Sequence, residues 1–142
     1  MGYFKNNNCL FFSFIFALSL ALVRSSKLNQ SIPSYQVNIV NALPNGTSPL
    51  TLRCQDYENH ELGTHSMNVA EEYMFTSIGV TSYYCFYYWN GESNFFDVIN
   101  EEISRGCGYV GPFLYGCYWK VQEDGFYFGR RQDGRFYKEH SW

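Results

Sequence analysis

Tyr83-Tyr-Cys85-Phe-Tyr87-Tyr-Trp89-Asn90-Gly91-Glu-Ser-Asn-Phe95-Phe-Asp-Val98-Ile99 is the stretch on which the fold turns. Tyr83–Trp89 is uncharged and apolar on both alternating sets, so it reads as a central strand covered on both sides. Asn90-Gly91 follows at once, and a second apolar run, Phe95–Ile99, follows that. An Asn-Gly step between two such runs predicts a hairpin, because both central residues must accept positive φ. The device recurs at Asp124-Gly125, between Tyr115–Gln122 and Phe126–Arg130, and at Asp133-Gly134, before Arg135–His140. Three such turns predict an antiparallel meander.

Working outward, Tyr35–Ile39 and Leu50–Gln55 alternate apolar and polar residues, the period of a half-buried strand. His65–Val69 and Glu72–Ile78 read as two more strands, although Asn68–Phe75 could also form a short amphipathic helix. Glu101–Tyr109 reads as a loop carrying Cys107. About eight short strands, closely spaced turn signals and no long helix predict an all-β protein, a small antiparallel β-sandwich. A chain of 142 residues holds one such domain.

The first stretch is different. Met1–Asn8 is polar with Lys5, Leu10–Val23 carries no charge, and Arg24-Ser25 follows. A basic start, a short apolar run and a small-residue exit predict a signal peptide over residues 1–25 and a mature domain over 26–142. The run falls short of the roughly 20 apolar residues of a membrane span, so no stable membrane insertion is expected. Cleavage removes Lys5 and Arg24 but no acid. Eight basic residues then face 13 acidic ones, and the net charge moves from -3 to -5. No Lys/Arg cluster exceeds Arg130-Arg131, which argues against a nucleic-acid partner.

Cleavage also removes Cys9 and leaves Cys54, Cys85, Cys107 and Cys117, an even set that predicts two disulfides in an oxidising compartment. Leu50, Leu52 and Cys54 share a face, as do Cys85, Tyr87 and Trp89, and Cys117, Trp119 and Val121. At least one bridge is therefore expected inside the core between distant strands. Four cysteines allow three pairings, and Cys54–Cys117 with Cys85–Cys107 is the one expected first. Secretion gives meaning to two sequons, Asn45-Gly-Thr47 on a turn and Asn29-Gln-Ser31 near the new N-terminus.

In the same order and spacing, the mature chain resembles the plant self-incompatibility protein family, the secreted S-protein homologues. The residues that carry the resemblance are Val37–Asn41, Leu52-Arg-Cys54, and the polar segment Asp56–Gly63 with Glu61-Leu-Gly63. His65, Glu72–Phe75, Cys85–Trp89 and Phe95–Asp97 continue it. Cys107, Cys117-Tyr-Trp119, Glu123–Tyr127 and the aromatic tail Phe136–Trp142 complete it. Gln55–His60 and Gly106–Gly116 depart from the family's usual loops. The resemblance implies a two-sheet sandwich, two disulfides and a role as an extracellular ligand. Founding members act as pistil determinants that signal to incompatible pollen through a membrane receptor.

Catalysis is not expected. The acid pairs Glu101-Glu102 and Glu123-Asp124 are adjacent in sequence, and neighbours on a strand point to opposite faces rather than across a sugar. His60 and His65 read as solvated turn residues and pair with no evident acid/base group. There is no Gly-x-Ser-x-Gly elbow and no phosphate-binding glycine loop. No metal spacing links the histidines to the cysteines, so no cofactor or metal is expected. Most of the 13 tyrosines read as strand packing. Recognition is assigned to the two longest loops, Asp56–Thr64 and Arg105–Leu114, and within the first to Tyr57, Glu58, His60 and Glu61. The expected molecule is a monomeric secreted ligand of a plant cell-surface receptor; the alternative is a secreted carbohydrate-binding or defence protein.

Overall fold

The computed structural model describes residues 31–142. The expected leader over residues 1–25 and the Asn29 sequon lie outside the described residues. Ten strands and one helical turn follow in order. They are β1 (Ser34–Asn41), β2 (Leu50–Asp56), β3 (Glu61–Met67), β4 (Glu72–Ile78), β5 (Tyr83–Trp89), β6 (Glu92–Ile99), α1 (Glu101–Ser104), β7 (Gly108–Gly111), β8 (Leu114–Gln122), β9 (Gly125–Gly129) and β10 (Phe136–His140). One sheet runs β10-β9-β8-β1-β4, with β7 paired to the first half of β8. The other runs β3-β2-β5-β6.

All three expected hairpins form, but only Asn90-Gly91 is itself the two-residue turn; Gln122 pairs with Gly125 across Glu123-Asp124, and Asp133-Gly134 lies within the longer Arg130–Arg135 connection. Asn90 and Gly91 take φ of 50° and 82°, and β5 and β6 pair antiparallel across them. Strand β4 occupies Glu72–Ile78 as expected, and the alternative helix over Asn68–Phe75 does not form. Elsewhere the chain departs from expectation. β3 begins at Glu61, four residues before His65, so half of the supposed polar loop is strand. Glu101–Tyr109 contains α1, capped by Asn100, whose side chain accepts from the Ile103 amide at 2.8 Å. The meander is not wholly antiparallel either. β1 lies parallel to β8, Val37 opposite Cys117 and Ile39 opposite Trp119, which alternation within either strand cannot reveal.

The bridges are Cys54–Cys85 and Cys107–Cys117, which corrects the expected pairing. Alternation gave the three strand cysteines, Cys54, Cys85 and Cys117, the right face, and all four cysteines are buried. Register decided the partner. Cys54 stands directly opposite Cys85 on neighbouring strands β2 and β5, both inward, with Cα atoms 4.0 Å apart. Cys107 just precedes β7, whose Gly108 pairs with Gly116, and this places it beside Cys117 on β8. Cys54 and Cys117 belong to different sheets. Neither bridge crosses the sandwich.

The sheets are joined by packing. Leu50, Leu52, Tyr87, Val98 and Ile99 from one and Val37, Ile39, Val121 and Phe126 from the other are almost wholly buried. Tyr87 meets Phe126 at 4.7 Å between ring centroids, and Phe96 meets Trp119 at 5.1 Å. Trp119 Nε1 donates to the Val98 carbonyl at 3.0 Å, a direct hydrogen bond between the sheets. Buried Asn41 on β1 donates to the Met67 carbonyl on β3 and accepts from the Leu43 amide, so both of its polar ends are satisfied.

Gly125 tests the β8–β9–β10 corner. It has φ of 145°, and a Cβ there would fall 2.2 Å from the His140 carbonyl oxygen. Gly125→Ala is expected to cost about 2–4 kcal/mol from backbone strain and forced separation of β10. Urea unfolding of the purified variant measures it. A loss below 1 kcal/mol would show that the corner relaxes freely.

Candidate functional site

β5 is central in its sheet, but only its inner face is covered. Cys85, Tyr87 and Trp89 point into the sandwich; Tyr84, Phe86 and Tyr88 point outward and stay partly or largely open, which corrects the expectation of burial on both sides. The pairing register builds the outer face in rows. Arg53, Phe86 and Phe95 stand side by side across β2, β5 and β6, with Gln55, Tyr84 and Asp97 in the next row and Thr51, Tyr88 and Ser93 in the row beyond. Phe95 is 65% exposed and Tyr88 47%. The outer face of the larger sheet is built differently, with Gln36, Asn38, Met74, Tyr118, Lys120 and Tyr127 in the matching positions by alternation.

The rings touch one another. Tyr84 and Phe86 lie 5.5 Å apart, Phe86 and Phe95 5.6 Å, and the Arg53 guanidinium sits 5.0 Å over Phe86. Arg53 Nε finds no hydrogen-bond partner among the described residues. Gln55 Nε2 donates to the Tyr84 hydroxyl. Tyr84 and Phe86 stand two apart on β5, the other pairs are cross-strand neighbours, and aromatic pairs of this kind stiffen a sheet while leaving their outer faces free.

The turn between β2 and β3 supplies the next part. Asp56, almost buried, accepts backbone hydrogen bonds from Glu58 at 2.9 Å and His60 at 2.8 Å, and the His60 ring donates to its second oxygen at 2.8 Å. Burial raises the Asp56 carboxyl, but the hydrogen bonds from His60 and Glu58 outweigh it and hold the group below the usual carboxylate range. The same contact, reinforced by the Asp56 charge, lifts the His60 imidazole. Asp56, Glu58 and His60 bring one ligand atom each within 4.8 Å of the others. Asp56 already accepts three hydrogen bonds and acts as the organiser of the turn.

Tyr57 leaves this turn in the other direction. It lies on the outer sheet face, 5.0 Å from Tyr84, with its hydroxyl donating to Asp97 Oδ1 at 2.6 Å, and is 65% exposed. The four residues assigned to recognition are thus divided. Tyr57 joins the aromatic face, Glu58 and His60 gather around Asp56, and Glu61 belongs to β3 with Arg53 at 3.9 Å. The true loop is Tyr57–His60. Arg105–Leu114 shrinks likewise, because β7 occupies its middle. His65 is no solvated turn residue; it sits on β3 with its ring 4.0 Å from Tyr73 across the sandwich.

A family model for the plant self-incompatibility protein S1 matches residues 36–142. The chain belongs to that family. The match spans every strand in full except β1, which it enters at its third residue. Searches of the curated proteins and of the solved structures returned no match. In this S1-family chain one acid of each adjacent pair is engaged otherwise. Glu101 pairs with Arg105 at 2.8 Å on α1, a helical turn rather than a strand, and Asp124 accepts from Tyr127 and Lys138.

His60 gives a titration that checks the turn. Its folded pKa is raised, so its contribution to stability is full below the unfolded value of about 6.5 and fades as pH rises through the folded one. Asp56 is lowered, and its contribution fades as pH falls through the folded value. The turn is held best between the two. NMR titration should find His60 titrating above an unstructured histidine, and Asp56→Asn should bring it back. An unshifted His60 in the native protein would remove the ion pair.

Proposed function

We propose that this S1-family chain is a secreted ligand that docks on a plant cell-surface receptor through the outer face of β2, β5 and β6 together with the Tyr57–His60 turn. The observation that carries the reading is the ladder Tyr57–Tyr84–Phe86–Phe95, open to solvent on a sheet stiffened by a disulfide. Large rings whose positions are already fixed bind at low entropic cost and are enriched at the centres of interfaces. Action is by binding, not by catalysis. The family's description as a plant self-incompatibility protein supports a signalling role, and two disulfides suit an extracellular setting.

The test is saturation binding of the labelled mature protein to intact cells from pistil, pollen and root. The reading expects saturable binding on at least one tissue, abolished when the cells are first shaved with protease. Binding that is non-saturable everywhere, or survives shaving, overturns it. A second reading, attachment to a wall polysaccharide, draws on the same exposed rings. Successive rings tilt by 47°, 71° and 31°, however, so they offer no single plane for consecutive sugars. A glycan array separates the two.

Asn45 is proposed as the glycan site. It is exposed on the Pro44–Thr47 turn, outside every strand, where a glycan is sterically accommodated. The secreted protein is expected to lose a glycan's mass on treatment with peptide N-glycosidase. Asn45→Gln is expected to run at the deglycosylated mass from the start. An unchanged mass in both experiments would exclude the site.

A further inference from the structure

A cleft of about 480 Å³ opens beside the aromatic face, where α1 and β6 meet the ends of β8, β9 and β10. Phe128 and the margin of buried Trp119 line it, their rings 5.0 Å apart, and His140 lies against Phe96 at 4.1 Å. Three carboxylates border it, those of Asp97, Glu102 and Glu139, and no Lys or Arg among the described residues does. Arg105, the basic residue closest along the chain to α1, is held by Glu101. Asp97 accepts only neutral donors, the Tyr57 hydroxyl and the Asn100 amide at 2.9 Å. Burial lowers the His140 imidazole despite nearby Glu139, so its ring adds no positive charge at neutral pH.

Aromatic walls beside acids that lack a cation are complementary to one chemistry. We infer that this cleft receives an arginine side chain presented by the receptor. A guanidinium is planar, weakly hydrated and forked, so it can lie on Phe128 while donating to two carboxylates. An ammonium offers no flat face for the ring. The net charge of -5 on the mature chain draws such a group in. The inference rests on the recognition reading and gives the partner its chemistry. Asp97 makes the two surfaces continuous, binding Tyr57 on one side and bordering the cleft on the other.

The test is an NMR titration of the mature protein with acetyl-Gly-Arg-Gly-amide and with its citrulline analogue, which keeps the shape and loses the charge. Saturable shifts are expected at the Trp119 indole N–H, Phe128 and His140. Citrulline is expected to bind about tenfold more weakly or worse, and so is the arginine peptide to the surface variant Glu102→Gln/Glu139→Gln. Equal affinity for citrulline, unchanged affinity in that variant, shifts centred elsewhere or no saturable shift would each overturn the inference. Phe95→Ser separates the two claims, because it should weaken cell binding and leave peptide binding alone. Loss of cell binding in Phe95→Ser with no arginine peptide bound by the native protein removes the cleft and spares the aromatic face.

Discussion

Tyr57→Ser/Phe95→Ser is expected to weaken binding to receptive cells roughly a thousandfold. Both rings are two-thirds exposed in the free protein, so little of their surface is committed to the fold. In a bound state they would lose that surface to a partner, and central aromatic anchors are each worth about 2 kcal/mol or more. Two of them give about 4 kcal/mol, which is the stated factor. Stability should fall by no more than about 1.5 kcal/mol. Exposed substitutions shift it by about 0.5 kcal/mol, to which the lost Tyr57–Asp97 hydrogen bond adds about 1 kcal/mol. Fluorescence binding isotherms on intact cells, run beside urea unfolding, separate the two effects. Near-native affinity in the double variant would place recognition elsewhere.

The second large effect falls on stability. Cys54→Ala/Cys85→Ala is expected to cost about 4 kcal/mol, and Cys107→Ala/Cys117→Ala about 3 kcal/mol. The difference comes from the loops closed, since the bridges span 31 and 10 residues of chain. A longer closed loop removes more freedom from the unfolded chain. Against a net stability of about 5–15 kcal/mol, either loss leaves a marginal protein, and losing both bridges should prevent folding. Urea midpoints of the two paired variants give the order directly. A larger loss from the shorter bridge would mean that strain or local packing outweighs chain entropy.

The strands were legible because their signals are local. Alternation placed β1 and β2, and the Asn-Gly and Asp-Gly steps marked the hairpins at Trp89–Glu92 and Gln122–Gly125. What failed was non-local. The Cys54–Cys85 pairing follows from the β2–β5 register and the parallel β1–β8 pair from the way the chain returns; no window of either strand encodes them. β5 misled for a related reason. A strand apolar on both faces reads as doubly covered, yet here the outer set Tyr84, Phe86 and Tyr88 has no layer above it among the described residues. The excess of apolar surface over burial need is the signal for a binding face, and it becomes visible once the second sheet is accounted for.

Of the candidate site, Tyr57 was read from its loop, while Tyr84, Phe86 and Phe95 were absorbed into strand reading. Arg53 and Asp97 had no signal of their own. They matter through their neighbours across the sheet, Phe86 for one and Tyr57 for the other. His65 shows the opposite error, a polar residue beside a turn that packs against Tyr73.

Hydroxyl-radical footprinting of the protein, free and bound to receptive cells, tests the central claim most directly, because it reads which rings are covered without knowing the receptor. The account predicts that Tyr57, Tyr88 and Phe95 are protected in the bound protein while Tyr118 and Tyr127, on the opposite sheet, oxidise at their free rates. Protection of Tyr118 and Tyr127 with Tyr57 and Phe95 still reactive would contradict it.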